Sequence, residues 1–206
     1  LELDTFSAQI DELSTASGMD LRLHGTESDD ETIKDTAVAQ PLLVASAIAC
    51  AAELGVSPAV VAGHSVGEIA AAQIAGVFTP ADAMRFVKVR ADGMAAAAAA
   101  TPTGMSAVVG GQPEDVLAAI EAAGASPANV NGGGQTVAAG SLDALESLAE
   151  SPPERARVIS LAVAGAFHTE YMAAATDDLA AASSAMEVSD PTVSILSNSD
   201  GTAVET

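Results

Sequence analysis

The stretch that decides the fold is AVVAGHSVGE, residues 59–68. Its first four residues are apolar and predict a short buried strand, and the composition from Glu68 to Ala75 favours a helix. Between them, Gly63 to Gly67 match the pattern G-x-S-x-G, in which glycines let the backbone turn sharply and present a strained serine. We therefore predict a strand, a tight turn and a helix, with Ser65 as a nucleophile and the amide of Val66 as an oxyanion donor.

Two further helices are predicted upstream of this stretch. Apolar periodicity indicates a short amphipathic helix from Asp4 to Ala16, and a second helix starts near Thr36 and closes at Gly55. We interpret the acidic segment between them, Gly25 to Asp35, as a loop. The chain has 206 residues, of which 49% are apolar and 2% aromatic, so one α/β domain can be built around a core of Ala, Val, Leu and Ile.

Downstream of the G-x-S-x-G turn, residues 104–163 form a separate series of predicted strands and helices. The predicted elements are strands at 105–109, 128–131, 136–139 and 157–163 and helices at 114–123 and 142–150. Their order is β-α-β-β-α-β, the split βαβ pattern of ferredoxin-like subdomains.

The chain then returns to the larger domain. A helix is predicted from about Thr169 to Met186 and a strand from Val193 to Leu196. We expect a discontinuous large domain, residues 1–103 and 164–206, with a mostly parallel α/β sheet and the small subdomain, residues 104–163, inserted into it. A ligand is expected in the cleft between the two parts.

Charge and cysteine content exclude several functions. The chain carries 28 acidic and 7 basic residues, a formal net charge of −21, which argues against broad binding to nucleic acid or to anionic membranes. Cys50 is the single cysteine, so no disulfide framework exists, and no cluster of Cys and His has metal-ligand spacing. No signal segment opens the chain, and we expect a cytoplasmic protein without a bound metal.

The three histidines differ in their suitability as the base for a serine nucleophile. His64 adjoins Ser65, but neighbours on a tight turn point apart, so we interpret it as structural. His24 is expected in a polar loop beside Gly25, without other site-like residues nearby. His168 follows the Gly165-Ala166-Phe167 loop at a strand-to-helix connection, where α/β enzymes place active groups, and is the preferred base.

Four separated motifs together carry a family resemblance. They are TAVAQPL at 36–42, GHSVGE at 63–68, NVNGGGQTVAAG at 129–140 and AFHTEYM at 166–172. In this order they resemble malonyl-CoA:acyl carrier protein transacylases, and the similarity runs nearly end to end. The resemblance implies an α/β-hydrolase-like sheet domain with an inserted ferredoxin-like subdomain, acting in fatty-acid biosynthesis.

The resemblance also implies the chemistry. Ser65 would take malonyl from malonyl-CoA and give it to the phosphopantetheine thiol of acyl carrier protein in a ping-pong reaction, with His168 as the base and no bound cofactor. Arg90, four residues before Met94 as in the family's R-x-x-x-M helix, would bind the malonyl carboxylate, and Gln40 would lie in the same pocket. A guanidinium suits this role because it pairs bidentately with a carboxylate.

Three further residues are expected at the substrate. Phe167, directly before His168, resembles the bulky residue of malonyl-selective acyltransferases that crowds a substituent on the acyl α-carbon. Asn131 and Gln135 flank a glycine turn that we expect near the mouth of the site. We expect a monomer that acts on malonyl-CoA and acyl carrier protein.

The sequence also departs from the family pattern and leaves two alternatives open. The family's opening strand with its Gln-containing glycine turn does not precede Leu1, and the family's later segment does not follow Thr206, so we expect a fragment or a shortened homologue. One alternative is an esterase or thioesterase of the α/β-hydrolase type, for which Asp143 and Asp177 are only loose third members of a triad. The other is a noncatalytic homologue that binds carrier protein.

Overall fold

The computed structural model describes residues 3–204 and has a mixed α/β structure. The elements in chain order are α1 (Asp4–Ser17), α2 (Leu21–Thr26), α3 (Asp30–Lys34), α4 (Thr36–Leu54), β1 (Val60–Ala62), α5 (Gly67–Ile74), α6 (Pro80–Ala100), β2 (Thr103–Gly110), α7 (Pro113–Ala122), β3 (Ser126–Gly132), β4 (Gln135–Ser141), α8 (Leu142–Glu150), β5 (Ala156–Ser160), a 3-10 helix (Glu170–Ala175), α9 (Thr176–Ser184), β6 (Ser194–Leu196) and β7 (Ala203–Val204). The chain divides into two compact units. Unit 1 takes in the chain up to Asp92 and again from Asp178, and unit 2 is Gly93–Asp177.

The sheet of unit 1 has the strand order β1-β6-β7. β1 and β6 are parallel, with Val60 opposite Ser194 and Ala62 opposite Leu196, and β7 pairs antiparallel to β6. Because the carboxyl ends of parallel neighbours meet at one edge of a sheet, the turn that follows β1 lies beside the segment that follows β6. This arrangement positions the serine elbow.

Helices α1, α4, α5 and α6 supply the main core of unit 1. The core contains Leu13, Val44, Ile48, Ile69 and Met84, all less than a tenth exposed. Helix α4 is the one helix within residues 3–204 whose length and composition would suit a membrane span, a test that core helices of water-soluble proteins also pass. Four of its buried residues, Val44, Ala45, Ile48 and Ala49, belong to this core.

The predicted acidic loop between α1 and α4 was wrong, because the structure has two short helices there. The side chain of Asp20 accepts a hydrogen bond from the amide of Leu23 at the start of α2, and Asp29 accepts one from Thr32 at the start of α3. Such aspartate caps satisfy amides that a helix start leaves unpaired. His24 therefore lies in the last turn of α2 and not in a loop.

Unit 2 contains a four-stranded antiparallel sheet in the order β3-β4-β2-β5. The predicted succession of strand, helix, strand, strand, helix, strand is observed from β2 to β5. Helices α7 and α8 pack against the sheet through a core that includes Val108, Val116, Ile120 and Leu148.

The single helix predicted over 169–186 is interrupted. Residues 170–175 form a 3-10 helix, and α9 begins at Thr176. The hydroxyl of Thr176 donates to the carbonyl of Ala173 at 2.6 Å, which shows a threonine side chain competing for a backbone acceptor at the break.

Candidate active site

Ser65 lies on a strained turn between β1 and α5. Its φ is +53°, in the left-handed region that residues with a side chain rarely adopt. The amide of Gly67 donates to the carbonyl of His64 at 2.9 Å and that of Glu68 to Ser65 at 3.0 Å, so the helix winds up directly from the serine. The strand, tight turn and helix predicted around residues 59–68 are thus confirmed.

The two glycines of the motif have different structural roles. A Cβ on Gly63 would stand 2.0 Å from the carbonyl carbon and oxygen of Gly67, closer than heavy atoms that are not bonded to each other can approach. A Cβ on Gly67 would meet nothing within 4 Å. Gly63 is therefore required by the close approach of the two backbone segments, whereas Gly67 is not required for space.

This difference predicts opposite outcomes for two matched substitutions. Gly63→Ala is expected to lower the free energy of unfolding by about 3 kcal/mol or more, because the backbone of the elbow must shift. Gly67→Ala should change it by at most about 1 kcal/mol, since alanine is the better helix former. Urea unfolding of both variants measures the difference, and equal losses of stability would contradict the close approach at Gly63.

Arg90 and Gln40 lie beside the serine in unit 1. The guanidinium of Arg90 donates through Nη2 to Ser65 Oγ at 3.1 Å and through Nη1 to Gln40 Oε1. Gln40, 5% exposed, donates in turn through Nε2 to the hydroxyl of Thr36 at 2.7 Å. The structure thus brings together three of the predicted site residues, Ser65, Arg90 and Gln40, and adds Thr36 to them.

The environment of Arg90 leaves its charge available to an anion. Burial lowers the pKa of its guanidinium from the ordinary value, and the nearby carboxylate of Glu68 opposes this shift. Within residues 3–204, no carboxylate lies close enough to Arg90 to form an ion pair. A partly desolvated cation without a carboxylate partner is suited to binding a carboxylate from a ligand.

The backbone amides of the elbow differ in what they bind. The amide of Ser65 donates to Asn198 Oδ1 at 2.7 Å. The amide of Val66 has no hydrogen-bond acceptor in the part of the chain that the structure describes, and it stands at the N-terminus of α5. A free amide at a helix N-terminus is a suitable donor to a developing oxyanion.

The remaining predicted residues lie in unit 2. His168 has a φ of +61° and follows Phe167 in the segment between β5 and the 3-10 helix. The segment is anchored on both sides of them, because the amide of Ala166 donates to the hydroxyl of Thr103 at 3.0 Å and the hydroxyl of Thr169 donates to the carbonyl of Ala166 at 2.6 Å.

Asn131 and Gln135 are partners in the turn between β3 and β4. The side-chain amide of Asn131 donates to Gln135 Oε1 at 2.8 Å. The three glycines between them, 132–134, all have positive φ, as the tight turn requires. The predicted turn is present, and its two polar side chains close it.

Comparison with known proteins now places this geometry in a family. Residues 2–205 match the acyl transferase domain family. A relative from Mycolicibacterium smegmatis, named malonyl CoA-acyl carrier protein transacylase, is 49% identical over 209 residues, which cover 99% of this chain and 72% of the relative. The chain belongs to the malonyl-CoA:acyl carrier protein transacylase family.

Solved transacylase structures agree with this assignment. The crystal structure of MCAT from Mycobacterium tuberculosis matches with a TM-score of 0.95 and 50% identity, covering 100% of this chain and 70% of that one. A malonyl-transacylase in complex with a type II polyketide synthase acyl-carrier protein matches with a TM-score of 0.87 and 27% identity, over 99% of this chain and 69% of the other. The family resemblance read from the four sequence motifs is confirmed.

Sequence reasoning missed two polar residues of this transacylase site. Thr36 is at the start of the TAVAQPL motif, four residues before Gln40, so the helical spacing could have indicated their contact. Asn198 is two residues after the end of β6, and its position beside the elbow depends on the parallel pairing of β6 with β1. No local pattern reveals that pairing.

Proposed function

We propose that this chain transfers a malonyl group from malonyl-CoA to the phosphopantetheine thiol of acyl carrier protein through a malonyl-Ser65 intermediate. The observation that carries the proposal is the contact of Arg90 with Ser65 Oγ at 3.1 Å. A nucleophile that has a cation within hydrogen-bond distance is suited to an acyl group that carries its own carboxylate. The family membership of the chain points to the same reaction.

In the first half-reaction, Ser65 Oγ attacks the thioester carbonyl of malonyl-CoA while His168 takes the hydroxyl proton. The amide of Val66 donates to the oxyanion of the tetrahedral intermediate. The C–S bond then breaks, the thiolate of coenzyme A takes the proton from His168, and malonyl remains as an ester on Ser65. The segment that carries His168 is held by Thr103 and Thr169, which favours a fixed place for the base.

The second half-reaction repeats these steps with another thiol. His168 takes the proton of the phosphopantetheine thiol, the sulfur attacks the malonyl ester, and the proton returns to Ser65 Oγ as the C–O bond breaks. The first half-reaction converts a thioester into an ester and the second converts the ester back into a thioester, so we expect neither to need a bound cofactor or metal.

Five residues select the substrate in this proposal. Arg90 pairs with the malonyl carboxylate, and Gln40 holds the guanidinium in place. Phe167 crowds a substituent on the acyl α-carbon, a discrimination of about 1–3 kcal/mol for one methyl group. Asn131 and Gln135 contact the substrate at the mouth of the site.

The fold proposal is a large domain of the α/β-hydrolase type, residues 1–103 and 164–206, with a ferredoxin-like subdomain at 104–163. The antiparallel strand order β3-β4-β2-β5, with a helix after the first and third of its strands in chain order, supports the subdomain. We further propose a monomeric, cytoplasmic enzyme of fatty-acid biosynthesis.

The choice of acyl donor tests the proposed function. The chain is incubated with equal amounts of malonyl-CoA, methylmalonyl-CoA and acetyl-CoA, and the adducts are resolved by intact-protein mass. The malonyl adduct should dominate, by about 10-fold or more over each competitor. Release of free malonate at the rate of acylation, with no transfer to carrier protein, would instead favour a hydrolase.

A further inference from the structure

Asn198 joins the two sides of the serine elbow through one side chain. Its Oδ1 accepts a hydrogen bond from the amide of Ser65 at 2.7 Å, and its Nδ2 donates to the carbonyl of Gly63 at 2.6 Å. Its own amide donates to Glu68 Oε1 at 2.7 Å, at the start of α5. Three consecutive parts of the elbow, namely its entry, the serine and the following helix, are thus tied to one residue that is 130 to 135 positions away.

The position of Asn198 follows from the sheet. β6 ends at Leu196, opposite Ala62 at the end of β1, so the segment after β6 runs alongside the elbow. The same segment is braced on its other side, because the amide of Ser197 donates to the carbonyl of Thr202 at 3.0 Å and that of Gly201 to Ser197 at 2.9 Å. Asn198 therefore presents its amide group to the elbow from a closed turn.

A side chain at φ of +53° persists only where its surroundings hold it. The contacts of Asn198 do this for Ser65, since they hold the amide of Ser65 and the carbonyl of Gly63, two residues before it. They also decide which amide can act on the substrate. The Ser65 amide is occupied by Asn198, whereas the Val66 amide has no acceptor in the described chain.

We infer that Asn198 is a positioning residue for the nucleophile. It holds Ser65 in the left-handed conformation and sets aside the Ser65 amide, so that Oγ and the amide of Val66 face the acyl group together. This role rests on the proposed function, because it concerns the acylation of Ser65. It requires both hydrogen-bonding ends of the asparagine amide, one accepting and one donating.

Amide hydrogen exchange tests the geometry without any need for activity. In the unmodified chain, the Ser65 amide should exchange at least about 10-fold more slowly than the Val66 amide, after correction for intrinsic rates, because only the former is hydrogen-bonded. Asn198→Ala should remove this difference, and Ser199→Ala, at the exposed neighbouring position, should preserve it. Equal protection of the two amides in the unmodified chain would overturn the inference.

Acylation kinetics test the role. Asn198→Ala should lower the rate constant for malonyl-Ser65 formation on the order of 10²-fold, as misplacement of a reacting group does, while KM for malonyl-CoA stays within about threefold. Ser199→Ala should match the parent chain. A loss of kcat/KM that comes from KM alone would overturn the positioning role of Asn198. So would an acylation rate constant of Asn198→Ala within about twofold of the parent chain.

Asn198→Asp covers the case in which the alanine variant does not fold. Its carboxylate still accepts from the Ser65 amide but cannot donate to the Gly63 carbonyl, so Ser65 protection should persist while acylation falls about 10-fold. Full activity of Asn198→Asp would overturn the requirement for both ends. A parent chain that shows the exchange difference but never acylates would sink the proposed function, not the elbow geometry.

Discussion

Replacing Ser65 by alanine is expected to abolish malonyl transfer, with turnover lower by a factor on the order of 10⁴ or more. The reason is chemical, because the reaction passes through an ester on Oγ and no other hydroxyl stands at the elbow. The fold should survive, since alanine keeps the backbone that Asn198 and Glu68 hold. Transfer is measured as malonyl-carrier protein formed per unit time, alongside the thermal midpoint of each protein.

The control for this substitution is Ser183→Ala, at an exposed position on α9. It removes the same hydroxyl from the surface and should leave transfer unchanged. If Ser65→Ala kept more than about a hundredth of the parent activity with an unchanged thermal midpoint, Ser65 would not be the nucleophile.

The second large effect is expected at Arg90. Arg90→Leu should lower kcat/KM for malonyl-CoA by about 10- to 150-fold, the value of a charge-assisted hydrogen bond in a partly buried site. The acylation rate with acetyl-CoA should change little, because the acetyl group lacks the carboxylate that Arg90 would bind. The preference for malonyl over acetyl would therefore collapse, and Arg90→Lys should restore only part of it, since lysine cannot make the planar two-point contact.

Arg85→Leu is the matched control on the same helix. Arg85 is exposed and pairs with Asp82 at 2.6 Å, three residues away, so its loss should leave the acyl preference intact. The measurement is kcat/KM for both acyl donors with each variant. An unchanged malonyl preference in Arg90→Leu would remove Arg90 from the substrate site.

The pKa of Arg90 determines how its contribution to malonyl preference and to stability depends on pH. Burial lowers this pKa, so the unfolded chain holds the proton more tightly than the folded chain does. The cost of burying the charge is therefore present at every pH below the folded-state pKa. That cost is relieved only as the pH rises through the folded-state pKa. Around neutral pH the guanidinium is charged in both states, and we expect the contribution of Arg90 to malonyl preference to be constant there.

Local signals allowed the elbow and much of the fold to be predicted. The G-x-S-x-G motif specifies its own turn, and the strand and helix on either side have unmistakable composition. Helix α8, Leu142–Glu150, matches its predicted bounds because Ser141 caps its first turn and the apolar spacing is regular. The helix starting at Thr36 is equally well marked by Asp35 before it and Gly55 after it.

Tertiary contacts account for what local sequence patterns do not show. The shared pocket of Gln40 and Arg90 was expected only from the family resemblance, because the two residues are 50 positions apart and helix packing brings the amide oxygen to the guanidinium. Asn198 reaches Ser65 across 133 positions through a parallel strand pair. The prediction of a loop over the acidic segment 25–35 was wrong for a local reason and not a tertiary one. Aspartate caps stabilise two helices there that are too short to show a periodic pattern.

The most direct test of the account follows one malonyl group through both half-reactions. The chain is mixed with malonyl-CoA, freed of small molecules, weighed as intact protein, and then mixed with carrier protein bearing its phosphopantetheine arm. We predict a gain of one malonyl group, located on Ser65 by peptide mapping, that disappears as the same mass appears on the carrier protein. An adduct on another residue, or a Ser65 adduct that carrier protein cannot discharge, would contradict the account.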